Sequence, residues 1–207
     1  MSRYPIEDEL VTERRHFGDP LTIGVMSDTH IYSRGRRVVP PGVIRLFRRA
    51  RIDLLVHLGD VNSRHVLEEL GELAPLIGVP GNNDEPELHF MLPETTQFAI
   101  GERTFGVLHG HGGCTARDEA IRRFVGKVDC VLFGHSHKPL IDQIDETILF
   151  NPGSPTDRRW NEHFGVGIIR VEAGTIRPEL MLFTDADHLD NIDVADIAGE
   201  GRLGDDE

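Results

Sequence analysis

The sequence predicts one α/β domain in which two β-sheets pack face to face, with helices on their outer sides. In the first half of the chain, short apolar runs alternate with segments of helical periodicity, which favours parallel strands joined by helices. In the second half, apolar runs occur in pairs around turn signals, which favours hairpins. With 207 residues the chain is long enough to bury a full core.

The first half contains three predicted strands and two helices. The first helix opens at residues 40–42, where prolines are favoured, and carries Val43, Phe47 and Ala50 on one face. The second helix is predicted around residues 66–73. The strands are short apolar runs, typical of strands buried on both faces, at residues 21–26, 53–58 and 76–80.

The second half begins with a predicted hairpin of residues 97–101 and 104–108. A third helix is indicated by Ile121, Phe124 and Val125, and a further buried strand by residues 129–133. Four antiparallel strands complete the prediction, at residues 140–144, 147–150, 165–171 and 176–183.

Acidic groups are concentrated at the ends of the chain, which has a formal net charge of −13. Residues 185–207 carry nine acidic side chains and one arginine, so we expect an acidic, disordered tail that either solubilises the protein or docks a partner. Residues 1–20 show no periodicity and are expected to be a flexible lead-in, which leaves 21–184 as the domain. Such a tail repels phosphate backbones, so nucleic-acid polymers are disfavoured as partners.

Composition predicts a cytoplasmic protein without a membrane partner. No apolar run approaches the roughly 20 residues needed to span a bilayer. The N-terminal segment lacks the apolar core of a secretory signal. Cys114 and Cys130 are the only cysteines, so no disulfide framework is expected.

Polar side chains follow five of the predicted strands at the point where each strand ends. Ligands of open α/β sheets gather at the carboxyl ends of strands, so we expect these side chains to meet. Asp28 and His30 are two residues apart, and in an extended chain this spacing points both side chains to the same side. A cap, a turn or a core histidine explains each one alone, but not all of them together. They are Asp28, His30, Asp60, Asn82, His109, His135 and His137.

This set of side chains also indicates the kind of ion. Carboxylate, imidazole and amide groups without a thiolate suit Mn²⁺ first, with Fe²⁺, Zn²⁺ or Ni²⁺ as alternatives. There are too many ligands for one ion and enough for two. Two ions bridged by a carboxylate neutralise phosphoryl oxygens and supply a bridging hydroxide that attacks phosphorus. The residues alone therefore predict two-metal phosphoester hydrolysis.

The motifs that carry this chemistry resemble those of the calcineurin-like metallophosphoesterases. In chain order they are Asp28-Thr-His30, Gly59-Asp60, Gly81-Asn82-Asn83-Asp84, His109-Gly110 and Gly134-His135-Ser-His137. The motif Asn151-Pro-Gly-Ser154, which follows them, makes the chain resemble the small YfcE-type phosphodiesterases in particular. These proteins are relatives of the retromer subunit that has the same fold. The resemblance covers about residues 21–183 and implies a four-layer αββα sandwich.

The resemblance also implies two ligand sets that share Asp60. Asn151 to Ser154 would form a backbone loop closing the site, with Asn151 among the substrate-binding residues. One metal would be held by Asp28, His30, Asp60 and His137, and the other by Asp60, Asn82, His109 and His135.

One position departs from the family pattern. Asn83 stands where the family usually has a histidine, the proposed proton donor to the leaving group. An amide cannot act as a general acid, which contributes about 10²–10⁴-fold, so substrates with good leaving groups are expected. His111 or His163 would replace the missing histidine as proton donor. The alternative is that both are ordinary loop residues. Asp84 is expected to orient its loop or to cap a helix. The catalytic candidates are Asp60, Asn82, Asn83, Asp84 and His109.

Basic residues lie near two of the motifs, and for both groups two interpretations stay open. Arg34, Arg36 and Arg37, grouped with Asn83 as substrate-binding candidates, either meet a substrate phosphate or form a solvated loop. The stretch 158–160, Arg-Arg-Trp, is open in the same way. Its tryptophan would stack on a base or aryl leaving group, or lie at an oligomer contact.

The sequence thus predicts a phosphodiesterase or phosphatase that acts on small phosphoesters. The alternative is a scaffold of the same fold that binds metal but has little or no activity, as the resemblance to the retromer subunit allows. Small relatives imply a homodimer or a homotetramer.

Overall fold

A computed structural model describes residues 15–192 of the chain. Four α-helices and a short 3₁₀ helix occur in this part of the chain: α1 Pro41–Ala50, α2 Arg64–Gly71, α3 Pro86–Met91, α4 Ala116–Phe124 and the 3₁₀ helix Ala186–Asn191. Eleven strands occur in it: β1 Arg15–Phe17, β2 Leu21–Met26, β3 Leu54–His57, β4 Leu76–Gly78, β5 Thr95–Ile100, β6 Arg103–Leu108, β7 Cys130–Phe133, β8 Leu140–Ile144, β9 Thr147–Asn151, β10 Phe164–Glu172 and β11 Thr175–Phe183. None of the helices in this range is long and apolar enough to cross a membrane.

The strands form two mixed sheets. The five-stranded sheet has the order β11-β10-β2-β3-β4, in which β2, β3 and β4 are parallel and β10 and β11 are antiparallel. The six-stranded sheet has the order β1-β5-β6-β7-β9-β8, in which β6, β7 and β9 are parallel. The predicted hairpins form as β5–β6, β8–β9 and β10–β11.

Three apolar clusters define the layers. Side chains of α1 and α2, such as Phe47 and Leu70, pack on the outer face of the five-stranded sheet. A second cluster, which includes Ile23, Phe98 and Phe150, fills the space between the two sheets. Helix α4 covers the outer face of the six-stranded sheet. The order helix, sheet, sheet, helix confirms the predicted four-layer αββα sandwich.

The structure differs from the prediction at both ends of the domain. Within the expected lead-in 1–20, Arg15–Phe17 is a strand that pairs in parallel with β5. Phe17 lies edge-on to Phe98, with ring centroids 6.0 Å apart. A three-residue strand has no periodicity to recognise, because it is specified by its partner strand. Residues 1–14 and 193–207 lie outside the described part of the chain.

The expected disorder of the acidic segment is wrong for residues 186–191, which form the 3₁₀ helix against α1. Leu189 is fully buried in the cluster under α1. Arg45 Nη2 lies 2.9 Å from Asp187 Oδ1 and 2.6 Å from Asp190 Oδ2. The carboxylates that make this segment look like a solvated tail are therefore the partners of a helix arginine. Helix α3 is indicated in the sequence only by the alternative interpretation of Asp84 as a helix cap, because its six residues show no clear apolar face.

We predict that Gly167→Ala destabilises the sandwich. In β10, a Cβ at Gly167 would clash with the ring of Phe150, which is buried between the sheets. Overpacking of this kind costs about 1–3 kcal/mol, measured as the free energy of unfolding in urea. Gly71→Ala is the control, since a Cβ there meets nothing within 4 Å. Equal unfolding free energies for the two variants would contradict the prediction.

Candidate metal centre

The polar side chains converge because four loops leave the two sheets at the same end. Parallel strands β2 and β3 of one sheet, and β6 and β7 of the other, end directly before the candidate ligands. Backbone hydrogen bonds join neighbouring loops: Asp28 N donates to Gly59 O, and Gly134 N donates to His109 O. The gathering of ligands at strand carboxyl ends that the sequence predicts is therefore observed.

The backbone reason for this convergence is not the one predicted. Strand β2 ends at Met26, and Asp28 and His30 are not extended but have φ values of 55° and 48°. Asp60, His135 and His137 also lie in this left-handed region. Non-glycine residues seldom adopt it, and such residues cluster at functional sites. Left-handed turns, not strand alternation, aim these side chains inward.

Asp28, His30 and His137 form the first group of side chains that could hold an ion. Asp28 Oδ1 lies 3.3 Å from His137 Nε2, and the Nε2 atoms of His30 and His137 are 3.2 Å apart. Burial lowers the pKa of His30, and it lowers that of His137 to about 4. Both imidazoles are therefore neutral near pH 7 and offer a lone pair.

Asp60, His109 and His135 form the second group. Asp60 joins the two groups, because its Oδ2 atom lies 3.5 Å from His109 Nε2 and 3.7 Å from His30 Nε2. Burial alone would raise the pKa of Asp60. The imidazole of His109 and the hydrogen bonds from Asn83 outweigh this effect, so the net pKa is lowered and the carboxylate stays ionised. This is the arrangement expected of a bridging carboxylate.

Hydrogen bonds to the backbone fix how two of the histidines are presented. His109 Nδ1 donates to Leu58 O at 2.6 Å, and His137 Nδ1 donates to Asp157 O. Each Nε2 atom then faces the group and carries a lone pair when the ring is neutral. Metal-binding histidines are oriented in this way by carbonyl or carboxylate partners.

Two of the predicted site residues brace loops instead of facing the centre. Asp84 is buried and accepts hydrogen bonds from Asn62 N at 2.6 Å and Gly81 N at 2.8 Å, so it ties together the loops after β3 and β4. Asn151, predicted to bind substrate, is fully buried. Its Nδ2 donates to Gly134 O and its Oδ1 accepts from Gly153 N, so its amide is used internally.

The structure places Asn83, and not Asn82, against the shared carboxylate. Asn83 N donates to Asp60 Oδ1 at 2.8 Å and Asn83 Nδ2 to Asp60 Oδ2 at 2.7 Å. Asn82 is exposed in the same turn, so the resemblance and the structure assign the two amides differently. Gly81 allows this close approach, because a Cβ there would overlap the carboxylate of Asp60.

The basic loop after β2 contacts the site at one point. Arg34, Arg36 and Arg37 are all exposed, and Arg37 Nη1 lies 3.7 Å from Asp157 Oδ2. Of the two histidines suggested as replacement proton donors, His111 lies near the centre. Its ring centroid is 5.5 Å from that of His109.

Two buried polar residues near the centre were missed by sequence reasoning. His57 Nε2 lies 3.2 Å from Thr29 Oγ1, and its Nδ1 accepts from Gly59 N at 3.3 Å. Glu119 of α4 accepts a hydrogen bond from Gly112 N and so holds the loop after His109. A histidine inside an apolar strand and a glutamate on an amphipathic helix give no signal that separates them from ordinary residues.

The unsatisfied polar atoms fit a metal. Asp28 Oδ1 and His109 Nε2 are buried and have no hydrogen-bond partner in residues 15–192. Burial also raises the pKa of Asp28 to about 7. Groups that cost this much to bury without a partner are explained when they coordinate a cation.

Comparison with known proteins identifies the class. The family model of the calcineurin-like phosphoesterase superfamily domain matches residues 21–174. The chain therefore belongs to the calcineurin-like phosphoesterase superfamily.

Individual relatives agree with this assignment. A probable metallophosphoesterase of Methanocaldococcus jannaschii is 37% identical over 142 residues, which cover 67% of this chain and 70% of that protein. The structure of an archaeal phosphodiesterase is similar with a TM-score of 0.61 and 25% identity, over 78% of this chain and 100% of the other. Zinc-bound Vps29 of Entamoeba histolytica shares the fold, with a TM-score of 0.60 and 22% identity, over 79% and 100% of the two chains.

We predict that the metal-stripped protein loses stability as the pH falls below 6.5. Burial lowers the pKa of His57 to about 3 and that of His137 to about 4, from an ordinary value of 6.5. The unfolded chain then binds more protons than the folded one, so the free energy of unfolding falls between pH 6.5 and 4. The midpoint of urea unfolding should be lower at pH 5 than at pH 7.

Asp28 should oppose this trend and provides the control. Its pKa is raised to about 7 from 3.8, so its contribution to stability increases as the pH falls through this range. In Asp28→Asn the loss of stability between pH 7 and pH 5 should therefore be larger. A midpoint that is constant or rises on acidification would disprove the assignment of buried, neutral histidines.

Proposed function

We propose that this protein hydrolyses small phosphodiesters with two divalent metal ions held on either side of Asp60. The observation that carries the proposal is the meeting of two three-residue ligand groups at one carboxylate, 3.5 Å from His109 and 3.7 Å from His30. Relatives named metallophosphoesterase and phosphodiesterase support the same reaction class.

When bound, two such ions supply Lewis-acid stabilisation of the phosphoryl group and a nucleophile at neutral pH. The chain's own part is to hold six ligand side chains in place before any ion arrives. Burial keeps the imidazoles of His30, His135 and His137 neutral. Asn83 and His109 keep the carboxyl of Asp60 ionised. These four side chains are therefore already in the protonation state that a metal ligand needs.

Departure of the leaving group is the step for which the chain offers least help. Hydrolysis breaks one P–O ester bond, and the departing oxygen needs a proton unless it is a stable anion. The amide of Asn83 donates a hydrogen bond but has no proton to transfer. Burial lowers the pKa of His111, so this neighbour is also mostly neutral at pH 7. We therefore propose substrates whose leaving groups are weakly basic.

The finer properties of the enzyme are proposals of the same kind. We propose Mn²⁺ as the metal, because the donors are carboxylate and imidazole without thiolate. Location in the cytoplasm and assembly as a homodimer or homotetramer stay predictions from the sequence.

We predict that bis(p-nitrophenyl) phosphate is hydrolysed by the metal-stripped protein only after Mn²⁺ is added. Asp60→Asn should lower this rate at least about 100-fold, since it weakens the carboxylate that both groups share. The measurement is nitrophenolate release, with bound metal counted in parallel. Asp145→Asn, an exposed carboxylate in the β8–β9 turn, is the matched control and should retain full activity.

A metal-binding scaffold without significant activity is the second candidate. Asn83, an amide in place of a proton donor, is the observation that favours it, and the Vps29 neighbour shows that the fold also occurs in that protein. Two bound ions with no turnover, or turnover that is unchanged in Asp60→Asn, would support the scaffold and exclude the enzyme.

We predict that Asn83→His raises activity on poor leaving groups more than on nitrophenyl esters. An imidazole beside Asp60 supplies the proton that an alkoxide leaving group needs, and such help is worth about 10²–10⁴-fold. The measurement is the ratio of kcat/KM for an alkyl diester to that for bis(p-nitrophenyl) phosphate. The same substitution at the exposed Asn82 should not raise this ratio. No increase in Asn83→His would mean that this position cannot deliver a proton to the leaving group.

A further inference from the structure

A cavity of about 440 Å³ opens beside the metal centre. We name it the side pocket and define it by His135, Lys138, Arg159 and Trp160, which lie on its wall. We propose that the side pocket binds a nucleotide group of the substrate, with the base against Trp160 and a phosphate against Lys138 and Arg159. This inference rests on the proposed function, because it specifies the class of diester that the metal centre would cleave.

The side pocket adjoins the centre through a shared wall. His135 belongs to the ligand group around Asp60 and also lines the pocket. Its ring centroid is 5.1 Å from that of His109, so His135 borders both the ligand group and the cavity. The side pocket is therefore the cavity next to a phosphate held at the metal centre, and we expect a substituent on that phosphate to reach it.

Two cations in the pocket have no partner in the described part of the chain. Lys138 and Arg159 are exposed, and neither forms an ion pair within residues 15–192. Arg159 lines the cavity together with His135, which belongs to the ligand group around Asp60. In a protein of net charge −13, a concentration of free cations next to the catalytic centre indicates an anionic ligand.

The neighbouring Arg158 differs from Arg159, because its guanidinium contacts other residues of the protein. Its Nη1 donates to Asn161 O at 2.6 Å, and its guanidinium lies 5.7 Å from the ring centroid of Phe164. Arg159, by contrast, follows the turn in the left-handed region with φ 48° and directs its side chain to the pocket. The two arginines therefore have different roles.

Trp160 is the one tryptophan of the chain and is completely exposed, with a relative exposure of 101%. The turn that carries it is nevertheless braced, since Asn161 Nδ2 donates to His137 O at 2.8 Å and to Arg158 O at 2.9 Å. An indole held on a braced turn beside two cations offers a planar stacking surface next to a phosphate site. A nucleobase with its phosphate matches both features, because base stacking is tolerant of sequence and anions pair with cations.

The single tryptophan makes binding directly observable. We expect thymidine 3′,5′-bisphosphate to quench the fluorescence of the full-length protein saturably, with excitation at 295 nm and with or without Mn²⁺. Thymidine should bind at least about tenfold more weakly, and inorganic phosphate should not quench. Lys138→Ala and Arg159→Ala should each weaken binding about five- to tenfold, whereas Arg48→Ala, an exposed arginine on α1, should not.

Turnover provides the second readout, with three substrates that share the p-nitrophenolate leaving group. They are methyl p-nitrophenyl phosphate, thymidine 5′-(p-nitrophenyl phosphate) and the 3′-phosphate of the latter. In each reaction one water is consumed, its oxygen bonds to phosphorus, the P–O bond to the nitrophenyl group breaks, and nitrophenolate and a proton are released. We expect kcat/KM to rise in this order.

The variants should change the ratios between these substrates. In Trp160→Ala the ratio of the thymidine ester to the methyl ester should fall about tenfold, and Trp160→Phe should restore most of it. In Arg159→Ala the advantage of the 3′-phosphate should be lost, and Arg159→Lys should restore part of it. Phe90 is an aromatic residue on α3 that is 91% exposed, so Phe90→Ala is the control for Trp160→Ala and should leave the ratios unchanged.

Failure of this inference and failure of the proposed function would look different. Hydrolysis of all three substrates with equal kcat/KM, together with no quenching, would overturn the side pocket as a nucleotide site and leave the phosphodiesterase intact. No hydrolysis of any substrate would overturn the proposed function, while quenching that depends on Lys138 and Arg159 would still support nucleotide binding. If Trp160→Ala instead dissociates an oligomer and leaves the ratios unchanged, Trp160 belongs to an interface and the inference is wrong.

Discussion

The carboxylate of Asp60 is the group on which the rest of the site depends. It is almost completely buried, yet it stays ionised and lies within 3.7 Å of imidazoles from both ligand groups. A buried carboxylate is costly unless it is paired and hydrogen-bonded. Asn83 donates to both of its oxygens, and Gly81 leaves room for this contact because it has no side chain. The loop after β4 is therefore shaped by the charge that the loop after β3 delivers.

Hydrogen bonds also stabilise the strained loops that carry the candidate ligands. Five candidate ligands have positive φ values, conformations that cost of order 1–3 kcal/mol each when they are unsupported. Support comes from hydrogen bonds between loops, such as His30 N to Asp60 O at 2.9 Å and Ser154 Oγ to Asp28 O at 2.7 Å. The second of these links connects the segment between β9 and β10 to the loop after β2. The apolar cluster between the sheets holds all of these strand ends in place.

Charge is distributed to match this chemistry. The chain is acidic as a whole, but Lys138 and Arg159 line the cavity that borders His135. The buried oxygen and nitrogen atoms without a partner inside the centre favour a cation, while Lys138 and Arg159 beside it favour an anion. The acidic segment 186–191 does not disturb this region, because its carboxylates are paired with Arg45 on α1. The charges of the centre and of the proposed side pocket are thus compatible with a metal ion and an anionic substrate.

The sequence by itself determined the layers of the fold and the identity of six side chains that meet at the centre. Apolar periodicity and strand-end motifs are local signals, and their order along the chain matched a known family. Only the tertiary structure decided the features that depend on distant partners. Strand β1 exists because β5 pairs with it, and the 3₁₀ helix exists because Arg45 donates hydrogen bonds to the carboxylates of Asp187 and Asp190. The choice of Asn83 over Asn82 as the neighbour of Asp60 depends on the left-handed backbone of Asp60 and on the missing side chain of Gly81, which no spacing rule contains.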